Sequence, residues 1–128
     1  MKFSQTSLMR MEGVHEDLQK VMHKAIAITK VDFGIPPYGG IRTAKEQSLL
    51  FKEGKSKADG YDKLSKHQSG EAIDVYAYVD GKASWEEEHL AMVACAVLQA
   101  ASQLGIKLKW GGLFRGFKDM PHFQLYNK

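Results

Sequence analysis

The sequence predicts an α+β fold, a small antiparallel β-sheet flanked by helices, and three observations carry that prediction. Apolar residues recur at three- and four-residue steps in two long stretches. Short segments alternate apolar and polar with a period of two, and the elements run helix, helix, strand, helix, strands, the order of an α+β domain. With 128 residues, 44% hydrophobic and 26% charged, the chain suits one domain with one core, and the balance argues against a disordered or fibrous protein. No repeat, low-complexity tract or linker divides it, so residues 1–128 are expected to form a single domain.

From Val14 to Thr29 the residues Val14, Leu18, Val21, Met22, Ala25 and Ile26 form the one-sided stripe of an amphipathic helix, with His15 and His23 off the stripe and in solvent. "DFGIPPYGGIR" then turns the chain, since Pro and Gly set or free the backbone. Thr43 and Glu46 read as a capping box opening a helix from Ala44 to Glu53 that stops at Gly54. "GKSKADGYDKL" reads as a mobile surface loop.

Residues 72–79 predict a strand with Ile73, Val75, Ala77 and Val79 on one face and Ala72, Asp74, Tyr76 and Tyr78 on the other. Ser84 and Glu87 read as a second capping box, opening the longest helix, which Gly105 closes. Its stripe is Leu90, Val93, Ala94, Val97, Leu98, Ala101 and Leu104, with His89 exposed near its start and Cys95 expected as an inert core residue. A strand "IKLKW", a glycine-rich "GGLFRGF" and a last strand from His122 to Tyr126 complete the chain.

The single cysteine excludes a disulfide framework and a thiolate metal cluster. The start has no apolar run of a signal peptide, and nowhere do ~18 apolar residues run together. A net charge of +3, scattered rather than clustered, matches an anionic polymer partner only loosely.

Chemistry concentrates in "SKHQSGEAIDV" and "DMPHFQL". A turn through Ser69 and Gly70 lets His67 swing toward Asp74, and His122 leads the last strand on the face it shares with Gln124 and Tyr126. If the two strands are neighbours, two imidazoles and one carboxylate meet on one face, a common way to hold a catalytic zinc with a fourth position open. Asp119, three residues before His122 and separated by Pro121, is placed to act as a proton-transferring base. Arg42, just ahead of a capped helix, offers a cation for a substrate carboxylate or for charge on a carbonyl oxygen. Taken singly, each also reads blandly: a loop histidine, a solvent-facing aspartate, a histidine on a polar strand face, a turn aspartate, a surface ion-pair arginine.

Together the motifs resemble a known family. "SKHQSGEAIDV" is similar to the S-x-H-x-x-G-x-A-x-D signature of the zinc peptidoglycan peptidases related to D-alanyl-D-alanine carboxypeptidases and dipeptidases, and "DMPHFQL" resembles their closing D/E-x-x-H element. "GGIRTAKEQSLLFKEGKSKADG" is similar to the stretch that carries their arginine. "FSQTSLMRMEGVHEDLQKV" resembles the opening of the L-alanyl-D-glutamate endopeptidase branch, many members of which are phage endolysins. The resemblance implies the fold shared by Hedgehog and D-Ala-D-Ala peptidase domains. It implies one Zn2+ on His67, Asp74 and His122, Asp119 as general base and acid, Arg42 as carbonyl or substrate contact, and Ser65 as a site-lining residue. Departures stand at Leu113 and Phe114, where many relatives read W-G-G-D-W, and at Gln124, where an acid is common.

The resemblance implies a cell-lysing zinc endopeptidase that cuts the L-alanyl-D-glutamate bond of bacterial peptidoglycan. The alternatives are a D,D-carboxypeptidase that trims terminal D-alanine and a noncatalytic zinc-stabilised module. The expected partner is peptidoglycan, with no nucleic acid, no stable membrane insertion and no separate wall-binding domain. The chain is expected to act as a monomer, made in the cytoplasm of a phage-infected bacterium.

Overall fold

The computed structural model describes residues 1–126. It contains α1 (Gln5–Arg10), α2 (Glu16–Ile28), β1 (Asp32–Gly34), α3 (Ala44–Lys52), β2 (Ala72–Asp74), β3 (Tyr76–Val79), β4 (Lys82–Ser84), α4 (Glu87–Leu104), β5 (Leu108–Trp110), a 3-10 turn (Gly111–Leu113) and β6 (His122–Leu125). The α+β class holds, but the strands form two three-stranded antiparallel sheets, β1-β3-β4 and β2-β6-β5, in place of one.

The two long helices form as their periodicity predicts. Leu18, Val21, Met22, Ala25 and Ile26 of α2 are all buried, and the helix packs on α4 through Leu90, Val93, Ala94, Val97 and Ala101. Each such side chain taken from water contributes on the order of 1.5–3 kcal/mol before entropy is counted. His15 and His23 are exposed, and His15 also caps α2, its Nδ1 accepting from Asp17 N at 3.0 Å. Gly105 ends α4 in the left-handed conformation at φ 71°.

Four details of α4 differ from expectation. Ser84 belongs to β4, its hydroxyl meets His89 Nδ1 at 2.6 Å, and the N-cap of α4 is Glu86, which makes no side-chain cap bond, so no Ser84–Glu87 capping box forms. Cys95 is exposed, because the buried stripe passes on either side of it through Val93, Ala94, Ala96 and Val97. Leu104, in the last turn, is exposed as well. His89 is only partly exposed, held between Ser84 and Glu86.

The run 72–79 is not one strand. Val75 donates its N–H to Pro121 O at 2.9 Å, and the chain passes there from one sheet to the other. The face alternation survives on the inner side, where Ile73, Val75 and Ala77 are fully buried against Phe123 and the helices. Phe123 is fully buried, so its truncation to alanine should cost on the order of 3–5 kcal/mol. In β2-β6 the register sets Asp74 opposite His122, which makes the two strands the neighbours the site requires.

The Thr43–Glu46 capping box is present at 3.1 and 2.9 Å. The segment after α3, expected as a mobile loop, is laced by hydrogen bonds. Asp59 Oδ1 accepts from the backbone of Tyr61, Asp62 and Lys63 at 3.1, 3.0 and 2.8 Å, and Gln68 Nε2 donates to Gly60 O at 2.9 Å.

Candidate metal centre and active site

The turn that carries His67 is built by its own residues. Ser65 Oγ accepts from His67 N at 3.2 Å, Gln68 N donates to Ser65 O at 3.0 Å, and Gly70 takes a positive φ of 74°. Arg42 N donates to His67 O at 3.1 Å, which ties this turn to the segment ahead of α3. Ser65 thus shapes the turn and is half-buried beside it.

His67 is buried, and its Nδ1 lies 3.0 Å from Gly40 O. A carbonyl only accepts, so Nδ1 carries a hydrogen, and in the neutral ring Nε2 is left with its lone pair. Gly40 reaches this position because its Cα lies against Arg10 O, where any Cβ would sit 2.0 Å away. His122 is arranged the other way round. Its Nε2 lies 2.8 Å from Gln124 Oε1, so Nε2 is the donor and Nδ1 faces Asp74.

Asp74 Oδ1 then lies 3.3 Å from His67 Nε2 and 3.1 Å from His122 Nδ1, and the three ligand atoms all lie within 4.8 Å of one another. Four donors at ~2.0–2.2 Å around a tetrahedral metal stand roughly 3.3–3.6 Å apart. The two carboxylate–imidazole distances lie close to that separation, and His67, Asp74 and His122 form a candidate metal-binding group. Each imidazole also has an acceptor on its far nitrogen, the arrangement that orients ligating histidines.

The carboxylate of Asp74 is held on its other side as well. Arg42 Nη2 donates to Asp74 Oδ2 at 3.2 Å, while its Nε donates to Tyr38 O at 2.7 Å and its Nη1 to Gln47 Oε1 at 3.0 Å. Tyr38 takes a left-handed φ of 61°, uncommon for a residue with a Cβ, and this turns its carbonyl onto the guanidinium. Arg42 therefore braces the Asp74 carboxylate through Nη2, while Nε and Nη1 hold the guanidinium itself in place, a contact that sequence spacing did not indicate.

Burial pushes the Asp74 carboxyl up, but the charge of His67 and hydrogen bonds from both imidazoles outweigh it, and the group lies far below the usual carboxylate range. For His122, burial works against the proton, yet the hydrogen bond and charge of Asp74, with help from Gln124 and Asp119, raise it above the ordinary imidazole value. Arg42 is lowered by burial and partly restored by Asp74 and Asp119.

Asp119 stands beside this group and outside it, with Oδ2 3.9 Å from His122 Nδ1 and about a third of its side chain exposed. Its carboxyl is raised, first by burial and next by the charge of Asp74. The turn that presents it depends on Gly111, whose O accepts from Asp119 N at 2.8 Å and where a Cβ would fall 2.1 Å from Asp119 O. His122 N donates back to Asp119 O at 3.2 Å, across Pro121. The two departures from the family pattern sit at the rim and behind His122. Phe114 packs its ring 5.8 Å from that of His122, Leu113 projects into solvent, and Gln124 supplies the acceptor for His122 Nε2.

Of the residues singled out in the sequence, the structure gathers His67, Asp74, His122, Asp119 and Arg42, with Ser65 one shell away. Gln47 was not foreseen as a partner, whereas Gln124 was expected to bear on the orientation of His122 and does so. For Gln124 the signal was its alternation with His122 on one strand face, whereas a glutamine on a helix carries no signal of burial.

The comparisons with known proteins agree with this geometry. The family model described as phage L-alanyl-D-glutamate peptidase matches residues 1–125. The chain is 37% identical over 111 residues to the L-alanyl-D-glutamate peptidase of Escherichia phage T5, a match that covers 86% of this chain and 79% of that protein. It is 31% identical over 97 residues to the peptidoglycan L-alanyl-D-glutamate endopeptidase CwlK of Bacillus subtilis (strain 168), covering 67% of this chain and 57% of the relative. The crystal structure of the Serratia marcescens L-Ala D-Glu endopeptidase ChiX superposes with a TM-score of 0.87 at 36% identity, over 98% of this chain and 90% of that one. With its motifs in order, its donor atoms gathered and its match running from residue 1 to residue 125, the chain belongs to the phage L-alanyl-D-glutamate peptidase family.

Proposed function

We propose that this protein is a zinc endopeptidase that hydrolyses the L-alanyl-D-glutamate bond in the stem peptides of bacterial peptidoglycan, acting as a cell-lysing endolysin. One observation carries the reading: a carboxylate with a raised pKa, Asp119, stands beside but outside a largely buried group of two imidazoles and one carboxylate whose donor atoms gather within 4.8 Å. A metal-stabilised binding module has no use for such a group.

In this reading His67 Nε2, Asp74 Oδ1 and His122 Nδ1 hold one Zn2+ per chain. Zinc with three protein ligands supplies Lewis acidity and makes the attacking water acidic near neutral pH. Asp119 accepts the proton of that water and delivers it to the departing D-glutamate nitrogen as the C–N bond breaks. Its carboxyl, raised by burial and by the charge of Asp74, holds a proton more readily than an ordinary carboxylate, which suits a group that must both take one up and pass it on. Arg42 keeps N–H groups beyond those spent on Tyr38, Gln47 and Asp74, and these face the substrate carbonyl or a substrate carboxylate. Ser65 lines the same side.

Residues 1–128 act as one peptidase domain and as a monomer, with wall contact supplied by the groove around the site. Among the described residues no helix is long and apolar enough to cross a membrane. Synthesis in the cytoplasm of an infected bacterium and action after release complete the proposal.

The test is a digest of purified peptidoglycan with and without a chelator, with the new termini identified by mass spectrometry. The proposal expects new amino-terminal D-glutamate, lost on chelation and restored by zinc. Release of free D-alanine as the sole product would replace it with the carboxypeptidase reading.

A further inference from the structure

Helix α3 reverses the usual rule for a surface helix. Its buried residue is Gln47, fully inaccessible, while Leu49 and Phe51 are exposed. Burying a primary amide is unfavourable unless its hydrogens and oxygen find partners. All of Gln47's do. Oε1 accepts from Arg42 Nη1 at 3.0 Å, and Nε2 donates to Ser56 Oγ at 2.8 Å and Ala58 O at 2.9 Å. The orientation of the amide is unambiguous, because a guanidinium only donates and a backbone carbonyl only accepts.

These contacts lie in series with the metal-binding group. Gln47 holds Nη1 of the guanidinium whose Nη2 holds Asp74 Oδ2, and Asp74 Oδ1 faces both imidazoles. On its other side the amide anchors residues 56–58, and from there Lys57 places its ammonium 4.6 Å from the centre of the Phe117 ring. Phe117 follows Phe114, whose ring packs against His122. A carboxylate is free to rotate about its Cβ–Cγ bond unless its second oxygen is fixed, and a guanidinium fixes it only when its own plane is fixed.

We propose that Gln47 is a positioning residue for the metal centre: it locks the Arg42 guanidinium in the plane that presents Asp74 Oδ1 as a single ligand atom, and pins the segment 56–58 to the same point. This rests on the metal centre proposed above. Glutamine suits the task because one planar group must offer an acceptor to Arg42 and two hydrogens to the loop. Glutamate keeps only the acceptor, asparagine falls a methylene short, and methionine keeps only the volume.

The test reads zinc affinity of the metal-free protein, by competition with a chromophoric chelator, beside thermal unfolding. Gln47→Met should weaken zinc about tenfold, at the lower end of the effect expected when a ligand loses its support. Gln47→Glu, which still engages Nη1, should stay within about threefold of the wild type although its loop anchor is lost. Arg42→Met should weaken zinc about tenfold or more, and adding Gln47→Met to it should cause no further loss, because the glutamine acts through the arginine. If Gln47→Met does not fold, Gln47→Asn serves, with several-fold weaker zinc expected. Gln47→Met, or Gln47→Asn in its place, unfolding at lower temperature yet binding zinc as the wild type does would reduce Gln47 to a structural residue and overturn the proposal, as would additive effects in the double variant. A wild type that takes up no zinc would overturn the metal centre and this inference with it, whereas equal affinity of wild type and Gln47→Met overturns this inference alone.

Discussion

His67, Asp74 and His122 bring imidazole and carboxylate atoms within metal-ligand range of one another between two paired strands, and Glu86, Glu88 and His89 bring similar atoms as close together at the start of α4. The first group is largely buried and the second largely exposed. In the first, Gly40, Gln124 and Arg42 occupy the far side of each candidate ligand and aim its free atom inward. In the second, His89 spends Nδ1 on Ser84 Oγ and Glu86, and the two glutamates lie at the N-cap and in the first turn of a helix, whose positive end disfavours a cation. Proximity of donors is thus common. What distinguishes a metal centre is that each donor has a second partner and that the fold has already desolvated it.

That contrast can be broken or sharpened by substitution. The largest effect should come from His67→Ala, which removes one of three donors: zinc per chain should fall from about one to near zero on metal analysis, and wall lysis with it. Retention of one zinc per chain by this variant would mean that the ligand set is wrong. Next, Asp119→Ala should keep the metal while turnover falls by about 10²- to 10⁴-fold, measured on the same wall preparation. Undiminished lysis would remove Asp119 from the chemistry.

A smaller effect concerns pH. In the metal-free protein His122 is raised, so its contribution to stability is complete below ~6.5 and is lost as pH rises through its folded value. Asp119, also raised, acts in the same sense from ~3.9 upward. Asp74 is depressed, so its contribution is present above ~3.9 and is lost only as pH falls toward its much lower folded value. Denaturant midpoints should therefore be higher at pH 5 than at pH 8 without metal. Saturating zinc should reverse the order, because ligation needs an unprotonated imidazole. Midpoints indifferent to pH in the metal-free protein would show that the His122 contacts are not maintained in solution. The smallest effect belongs to Glu86→Ala and Glu88→Ala, which should leave zinc stoichiometry and lysis unchanged.

Much of this was legible in the sequence where local chemistry alone determines the outcome. The α2 stripe, the Thr43–Glu46 box and the Gly105 stop depend on residues within one or two turns, and each stands where its pattern places it. The site was legible because His67 and Asp74 share a turn and strand, and because Asp74 and His122 fall opposite each other once β2 pairs with β6. What escaped depends on distant partners. Val75 breaks its strand because Pro121 O, far along the chain, claims its N–H. Ser84 forsakes the helix start because β3 recruits it into β4 and His89 takes its hydroxyl. Helix α1, too short and too exposed to announce itself by periodicity, is tied down by buried Ser7, whose hydroxyl accepts from Ile35 N at 3.0 Å. Gln47 reads as an ordinary polar helix residue until Arg42 and Ala58 surround it.

The most direct test is diffraction from zinc-loaded crystals with data collected on both sides of the zinc absorption edge. The account predicts one anomalous peak per chain, ~2.0–2.2 Å from His67 Nε2, Asp74 Oδ1 and His122 Nδ1, with Asp119 nearby and unligated. A peak at Glu86, Glu88 and His89 instead, or one at the first group with Asp119 as a ligand, would contradict it.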